Sequence, residues 1–195
     1  MKYGIPINTK TREINWNGVR AFNDDHWAGI AMKIANGEKC GWIPFPKLKV
    51  FISFSSHDKE LMECLFKEIL LSELVEPYKV ESDDHSDEDL GPIVAKGIRG
   101  CHFFVLLVSK KSVSTQWINQ ELGFAYGVRK LKGKRITIIE EPAINMLKGF
   151  IHENKQFPYK FNLDGEPSFS NTCLKLREGL EKRVIKEFKI NVTHY

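Results

Sequence analysis

Cysteine is scarce, and the four residues present (Cys40, Cys64, Cys101 and Cys173) are scattered along the chain. No Cys-x-x-Cys pair occurs, which argues against a zinc site and against a disulfide framework, and no metal site is expected. Cys64 and Cys101 lie inside apolar patterns, where a free thiol behaves as a small hydrophobe. No run approaches the ~18–20 apolar residues of a membrane span. The first residues contain no continuous apolar stretch of signal-peptide length, so the expectation is a cytoplasmic protein with no membrane partner. Walker loops and dinucleotide glycine fingerprints are absent, and so are internal repeats and low-complexity tracts. The charge excess is small, +4 over 195 residues, and does not mark a nucleic-acid binder.

What is present is the composition of a globular protein. Hydrophobic residues make up 42% and charged residues 28%, and the length suffices to bury a real core. Residues 1–47 read as an N-terminal helical extension followed by an apolar linker. Asn23 is suited to cap a helix over 24–36, with Asp24 and Asp25 in its first turn and Gly37 beyond its end. Trp27, Ala31 and Ile34 recur at helical spacing, and Trp42-Ile43-Pro44-Phe45-Pro46 reads as extended. This segment either docks on the main domain or recruits a partner.

Residues 48–195 read as the main domain. Strands are expected over 49–54, 78–80, 102–108 and 135–139, and helices over 59–74, 90–100, 115–129 and 170–188, the last capped by Ser170. The run His102-Phe103-Phe104-Val105-Leu106-Leu107-Val108 suits a strand covered on both faces. The alternation of strand and helix points to an α/β fold with a central parallel sheet between helical layers.

Ligands of such sheets bind beyond the carboxyl ends of the strands. The first of these ends is Phe54-Ser55-Ser56-His57-Asp58. Ser55 and Asp58 have capping-box spacing, and the turn is either a plain helix cap or a cradle for a phosphate. A serine-hydrolase triad is excluded, because neighbours in sequence cannot adopt nucleophile–base–orienter geometry. Trp117 and Glu121 stand four residues apart on one helical face, which Phe124 and Val128 continue. A carboxylate between aromatic rings is either a surface group near a helix start or a group made useful by burial. Residues 81–89 hold six acidic side chains and no Lys or Arg, without EF-hand spacing. In 129–135, five of seven residues are basic, as expected after a helix C-terminus. Opposite charges at these two places allow weak, salt-sensitive head-to-tail association of copies, or are two unrelated solvated faces.

Three segments together resemble the TIR (Toll/interleukin-1 receptor) domain family. Val50 to Lys59 (VFISFSSHDK) is similar to its opening strand and loop, and Phe104 to Ser109 (FVLLVS) to its central strand. Trp117 to Leu122 (WINQEL) is similar to the Trp-x-x-x-Glu helix of the catalytic, bacterial-type branch. The resemblance covers about residues 48–140, with the last helix completing the fold, and leaves 1–47 outside. It implies a flavodoxin-like three-layer fold. It implies an NAD⁺ nucleosidase whose substrate, rather than cofactor, is NAD⁺, with Glu121 catalytic. Phe54, Ser55, Ser56 and Trp117 would contact the dinucleotide, and Asp83 is the single residue carried over from the acidic segment, where the fit is gapped. That segment ends in Gly91-Pro92, unlike the corresponding loop of adaptor members.

For such a reaction, loss of nicotinamide leaves an oxocarbenium-like ribose. The pyridinium leaves without protonation, so one carboxylate suffices. Water as acceptor gives ADP-ribose, and an internal acceptor gives a cyclic isomer. By analogy with bacterial relatives the setting is antiviral defence or other signalling, with a homo-oligomer and a signalling protein as partners. A noncatalytic adaptor or scaffold, or a domain that binds a nucleotide signal, is the alternative.

Overall fold

The structure, a computed structural model, describes residues 2–80, 90–128, 131, 135–142 and 159–190. The chain divides into two compact units. One comprises residues 48–71 and 75–177, and the other residues 1–47, 72–74 and 178–195.

The first of these contains a five-stranded parallel sheet. Its strands are β4 (Leu48–Ser53), β5 (Val75–Tyr78), β6 (Phe103–Val108), β7 (Ile136–Glu140) and β8 (Tyr159–Lys160), arranged β5-β4-β6-β7-β8. Numbered within the sheet, that order is 2-1-3-4-5, the flavodoxin-like arrangement, with its switch point between β4 and β6. Four helices accompany it: α2 (Lys59–Leu70), α3 (Leu90–Gly100), α4 (Gln116–Gly127) and α5 (Phe169–Glu187).

All six residues of β6 are buried, as its unbroken apolar run requires of a central strand. Phe104, Leu106 and Val108 share one face with Phe51, Ile136 and Ile138, and α3 and α4 close it with Val94, Ile98, Ile118, Leu122 and Ala125. Phe103, Val105 and Leu107 point the other way, because side chains alternate along a strand, and are equally buried. Each such side chain contributes about 1.5–3 kcal/mol by leaving water. Helices α2 and α5 are tied by Arg177, whose Nε donates to Glu68 Oε1 at 2.9 Å. Gly97 permits α3 to approach β4, since a Cβ there would lie 2.8 Å from the Phe51 ring. The Tyr78 hydroxyl donates to the Gly97 carbonyl at the same contact.

Several expectations shift. The strand expected at 78–80 lies at Val75–Tyr78 and contains Pro77. Proline lacks a ladder donor, and β5 tolerates it as an edge strand. On α3 the buried residues are Val94 and Ile98, while Ile93 is half-buried. Ser170 lies inside α5, and Ser168 precedes the helix instead, its Oγ accepting from the Asn171 amide at 3.3 Å. Strand β8 is two residues long and has no periodic pattern by which to read it.

The other unit holds a three-stranded antiparallel sheet, with β1 (Lys2–Pro6) between β2 (Arg20–Phe22) and β3 (Trp42–Pro44), and helix α1 (Asp24–Ala35). The expected cap forms, with Asn23 Oδ1 accepting from the His26 amide at 2.8 Å, and Gly37 takes a φ of +70° just past the helix. The apolar face differs from expectation: Ile30 is buried, whereas Ala31 and Ile34 are exposed. Trp42 to Pro44 is a paired strand rather than a linker. Its ring partners come from elsewhere in the segment, Phe22 standing edge-on to Trp42 at 4.8 Å.

Candidate functional site

The site is built where the sheet changes direction, at the carboxyl ends of β4 and β6. Period-two alternation puts Ser53 on the same face as Phe51, toward α3 and α4. Ser53 is buried and Phe54, next in line, is half-buried. The chain then turns through Ser55 and a 3-10 turn over Ser56–Asp58 into α2. Ser55 Oγ accepts from the His57 amide at 3.4 Å. Asp58 stands at the N-cap of α2 but makes no side-chain cap bond there. Its Oδ1 accepts instead from Ser109 Oγ, 2.5 Å away at the end of β6. Ser109 Oγ also accepts from the Lys111 amide at 3.1 Å, and the Ser109 amide donates to Ser112 Oγ at 2.9 Å. The two loops that leave the switch point are thereby clipped together.

Helix α4 supplies the carboxylate. Its buried residues are Ile118, Glu121, Leu122 and Ala125. Spacing alone puts Trp117 and Glu121 on one face, but their surroundings differ. Trp117 is 41% exposed and Glu121 only 7%. Burial pushes the Glu121 carboxyl above its ordinary range, partly offset by the Ser53 hydroxyl and the Trp117 side chain, which favour the charged form. Among the described residues, three buried side-chain polar atoms have no hydrogen-bond partner: Ser53 Oγ, Asp58 Oδ2 and Glu121 Oε2. All three belong to this edge of the sheet. Buried polar atoms are nearly always satisfied, so this concentration of exceptions makes the edge a candidate site.

Two clefts meet here. One, about 310 Å³, is lined by Phe54, Ser55, Ser56, Lys59, Thr115 and Trp117. The other, about 230 Å³, is more apolar and is bounded by Val94, Ile98, Trp117, Gln120, Glu121 and Phe124. Trp117 and Val94 border both. Phe54, Ser55, Ser56 and Trp117 are thus brought together as the sequence suggested. Glu121 lies on the far side of Trp117, lining the second cleft. Asp83 lies outside the described residues, as do 81–89 generally, and of 129–135 only Leu131 and Arg135 are described.

Sequence reasoning overlooked Ser53, Lys59, Thr115 and Val94. Alternation from Phe51 signals the facing of Ser53, but nothing local reveals that a helix about 70 residues later places a carboxylate opposite it. Among the described residues no cluster of three or more His, Cys, Asp and Glu side chains could hold a metal ion, and no helix is long and apolar enough to cross a membrane.

A family profile described as TIR domain matches residues 50–152, over half of the chain. A comparison with curated proteins finds no match. Among solved structures, the chain is similar to the TIR domains of the activated Roq1 resistosome, which directly recognizes the pathogen effector XopQ. The identity is 11%, covering 69% of this chain and 99% of that one, with a TM-score of 0.52. It is also similar to a prokaryotic SEFIR domain at 16% identity, covering 71% of this chain and 92% of the other, with a TM-score of 0.47. At such identity the likeness to Roq1 is one of fold. The parallel sheet, its strand order and the family match agree: this chain belongs to the TIR domain family.

Proposed function

We propose that the chain is a catalytic TIR domain that cleaves the nicotinamide–ribose bond of NAD⁺, with Glu121 as the essential carboxylate. The observation that carries this reading is a buried carboxylate with an unpartnered oxygen, lining an apolar cleft behind an exposed tryptophan. Leaving a carboxyl oxygen buried and unsatisfied costs stability, which supports a role for Glu121 beyond packing.

The chemistry follows from the charge that develops. As the C1′–N bond breaks, its electron pair leaves with nicotinamide, and the ribose becomes oxocarbenium-like. A preoriented carboxylate stabilises that cation far more in a dry cleft than in water. Glu121 has to be ionised for this role. Trp117 and Phe54 supply aromatic walls for the ring systems, and Ser55, Ser56 and Lys59 polar contacts for the phosphates. Asp83 remains a proposed contact. Attack by water on C1′ releases ADP-ribose, and attack by a group of the same molecule closes a cyclic isomer.

In this reading residues 48–195 are the catalytic domain, residues 1–47 an extension, and the protein acts in the cytoplasm as a producer of a defence or signalling nucleotide. Copies associate head to tail, as the opposite charges of 81–89 and 129–135 allow. The resistosome named for Roq1, an assembly containing TIR domains, supports association as a mode of action for this fold.

The test is incubation of the purified full chain with NAD⁺ and chromatographic detection of nicotinamide, at low and high protein concentration and at low and high salt. Release that rises with concentration and falls with salt is expected. A folded, associated protein that releases no nicotinamide overturns the catalytic reading and leaves an interaction module.

A further inference from the structure

Glu121 is the single charged residue of α4. It therefore has no ion partner on its own helix, and its charge state is set by what faces it. From β4 the Ser53 hydroxyl faces it, and on α4 itself the Trp117 side chain does. β6, which packs against α4, consists of apolar residues throughout. The charged residues of α3 are Lys96 and Arg99, both exposed. The Arg99 guanidinium lies over the Phe124 ring, 5.1 Å from its centre. What shifts the Glu121 carboxyl is burial, which raises its pKa, and the Ser53 and Trp117 side chains, which lower it.

Ser53 has no competing occupation. Its Oγ is buried and makes no completed hydrogen bond, and the same is true of Glu121 Oε2. A serine at the end of a central strand, surrounded by apolar side chains, forfeits hydration without recovering it. Two such groups facing one another, each able to satisfy the other, form a pair that closes with a small adjustment or through one water molecule.

We propose that Ser53 is a positioning residue for the reaction, orienting the Glu121 carboxylate and holding it in the ionised form by donating its hydroxyl. The inference rests on the reading of Glu121 as the catalytic carboxylate. The hydroxyl comes from the sheet, the most rigid element available, so the carboxylate is aimed by β4 rather than by a loop. The role is distinct from that of Ser55 and Ser56, which face the other cleft. A hydroxyl donated to a carboxylate favours the charged form and opposes the effect of burial. Its removal should therefore make Glu121 harder to ionise, not merely lower activity.

The experiment has two arms. In the first, the full chain carrying ¹³C-labelled glutamate is titrated by carbon-detected NMR, with Glu121→Gln to assign the signal. In the second, nicotinamide release is followed across pH. For Ser53→Ala, both the Glu121 titration and the acid limb of activity should move to higher pH. Activity on that limb should fall about tenfold, the equivalent of one charge-assisted hydrogen bond. Ser53→Thr, which keeps the hydroxyl, should restore both midpoints. A folded Ser53→Ala protein whose Glu121 titrates as in the parent overturns the proposal, and so does a Ser53→Thr protein that shifts as far as Ser53→Ala. The NMR arm decides this even if the parent protein releases no nicotinamide, an outcome that would sink the catalytic reading alone. An unmoved titration together with normal release would sink the role of Ser53 and leave that of Glu121.

Discussion

Ser109 Oγ donates to Asp58 Oδ1 at 2.5 Å, joining the end of β6 to the turn that follows β4. Both residues are buried, and the second oxygen of Asp58 has no partner. Ser109→Ala would leave that carboxylate buried without this donor. Because hydrogen bonds to charged groups contribute more than neutral ones, the loss should be about 1.5–3 kcal/mol of folding stability. Urea unfolding measures it. Amide exchange at residues 54–57 should rise, since the turn lining the larger cleft loses its clip. Unchanged stability and unchanged exchange would mean that this contact does not hold the turn.

Glu121→Ala and Glu121→Gln should lower nicotinamide release by on the order of 10²–10³, as expected when a principal transition-state stabiliser is removed. Stability should move the other way. Burial raises the carboxyl's pKa in the folded protein. The folded state therefore tolerates the protonated form, and the penalty of charge grows as pH rises from the unfolded range through the raised folded value. Above that window Glu121→Gln, which is never charged, should melt higher than the parent. Below it the two should converge. Parallel melting curves at acid and neutral pH read this directly. A Gln variant that keeps most of its activity argues against the catalytic role.

Trp117 borders both clefts yet is 41% exposed. Trp117→Ala should therefore weaken NAD⁺ binding and turnover together, with a change in melting temperature far below that of a core deletion. Trp117→Phe should be milder, because an aromatic wall survives. Kinetics and thermal melts on the same preparations separate the two effects. If Trp117→Ala unfolds the domain, the residue is core and the shared-wall assignment fails.

Glu141 follows β7 and accepts from the Lys110 amide at 3.0 Å, while its other oxygen pairs with the Lys110 ammonium at 3.0 Å. Burial alone would raise its pKa, but the Lys110 amide and ammonium outweigh it, and the net direction is down. A depressed folded value means stability that is present above the unfolded carboxylate range and lost as pH falls through the folded value. Lys110→Ala removes the ammonium but keeps the amide. Because Lys110 is exposed, the loss at neutral pH should be no more than about 1 kcal/mol. Denaturant titrations from pH 7 to 3 should show the difference between parent and variant vanishing at the acid end.

In the unit formed by the N-terminal segment and the end of the chain, the Phe45 ring meets the Phe188 ring edge-on at 5.4 Å, and Phe45 is buried. Phe45→Ala should destabilise by about 3–5 kcal/mol. Deletion of residues 1–46 removes both Phe45 and Trp16 from Phe188, and should lower solubility through the apolar surface it uncovers. A truncated chain with the parent's melting temperature would favour a partner-docking role for this segment.

Much of the main domain was legible in the sequence because its signals are local. The unbroken run at β6 demands cover on both faces, and the helix of Glu121 was recognisable from the spacing of its apolar neighbours. Other features were hidden for physical reasons. Pro77 argues against a strand unless the strand lies at an edge, and edges are not written in a single segment. The pairing of β3 with β1 joins residues about 40 apart through strands of three and five residues, too short for a clear period to show.

The sequence by itself determined the alternation of strand and helix from β4 to β7, the residue types at the carboxyl edge of the sheet and membership of the family, because periodicity and motif spacing are properties of neighbours along the chain. Tertiary structure alone decided the environments. It separated Trp117 from Glu121 in exposure although they share a helical face. It turned Asp58 away from its own helix toward Ser109, and it set Ser53 opposite Glu121 with neither polar atom satisfied. Burial and hydrogen-bond partnership depend on chain segments distant in sequence, and those two quantities set how readily a carboxylate ionises.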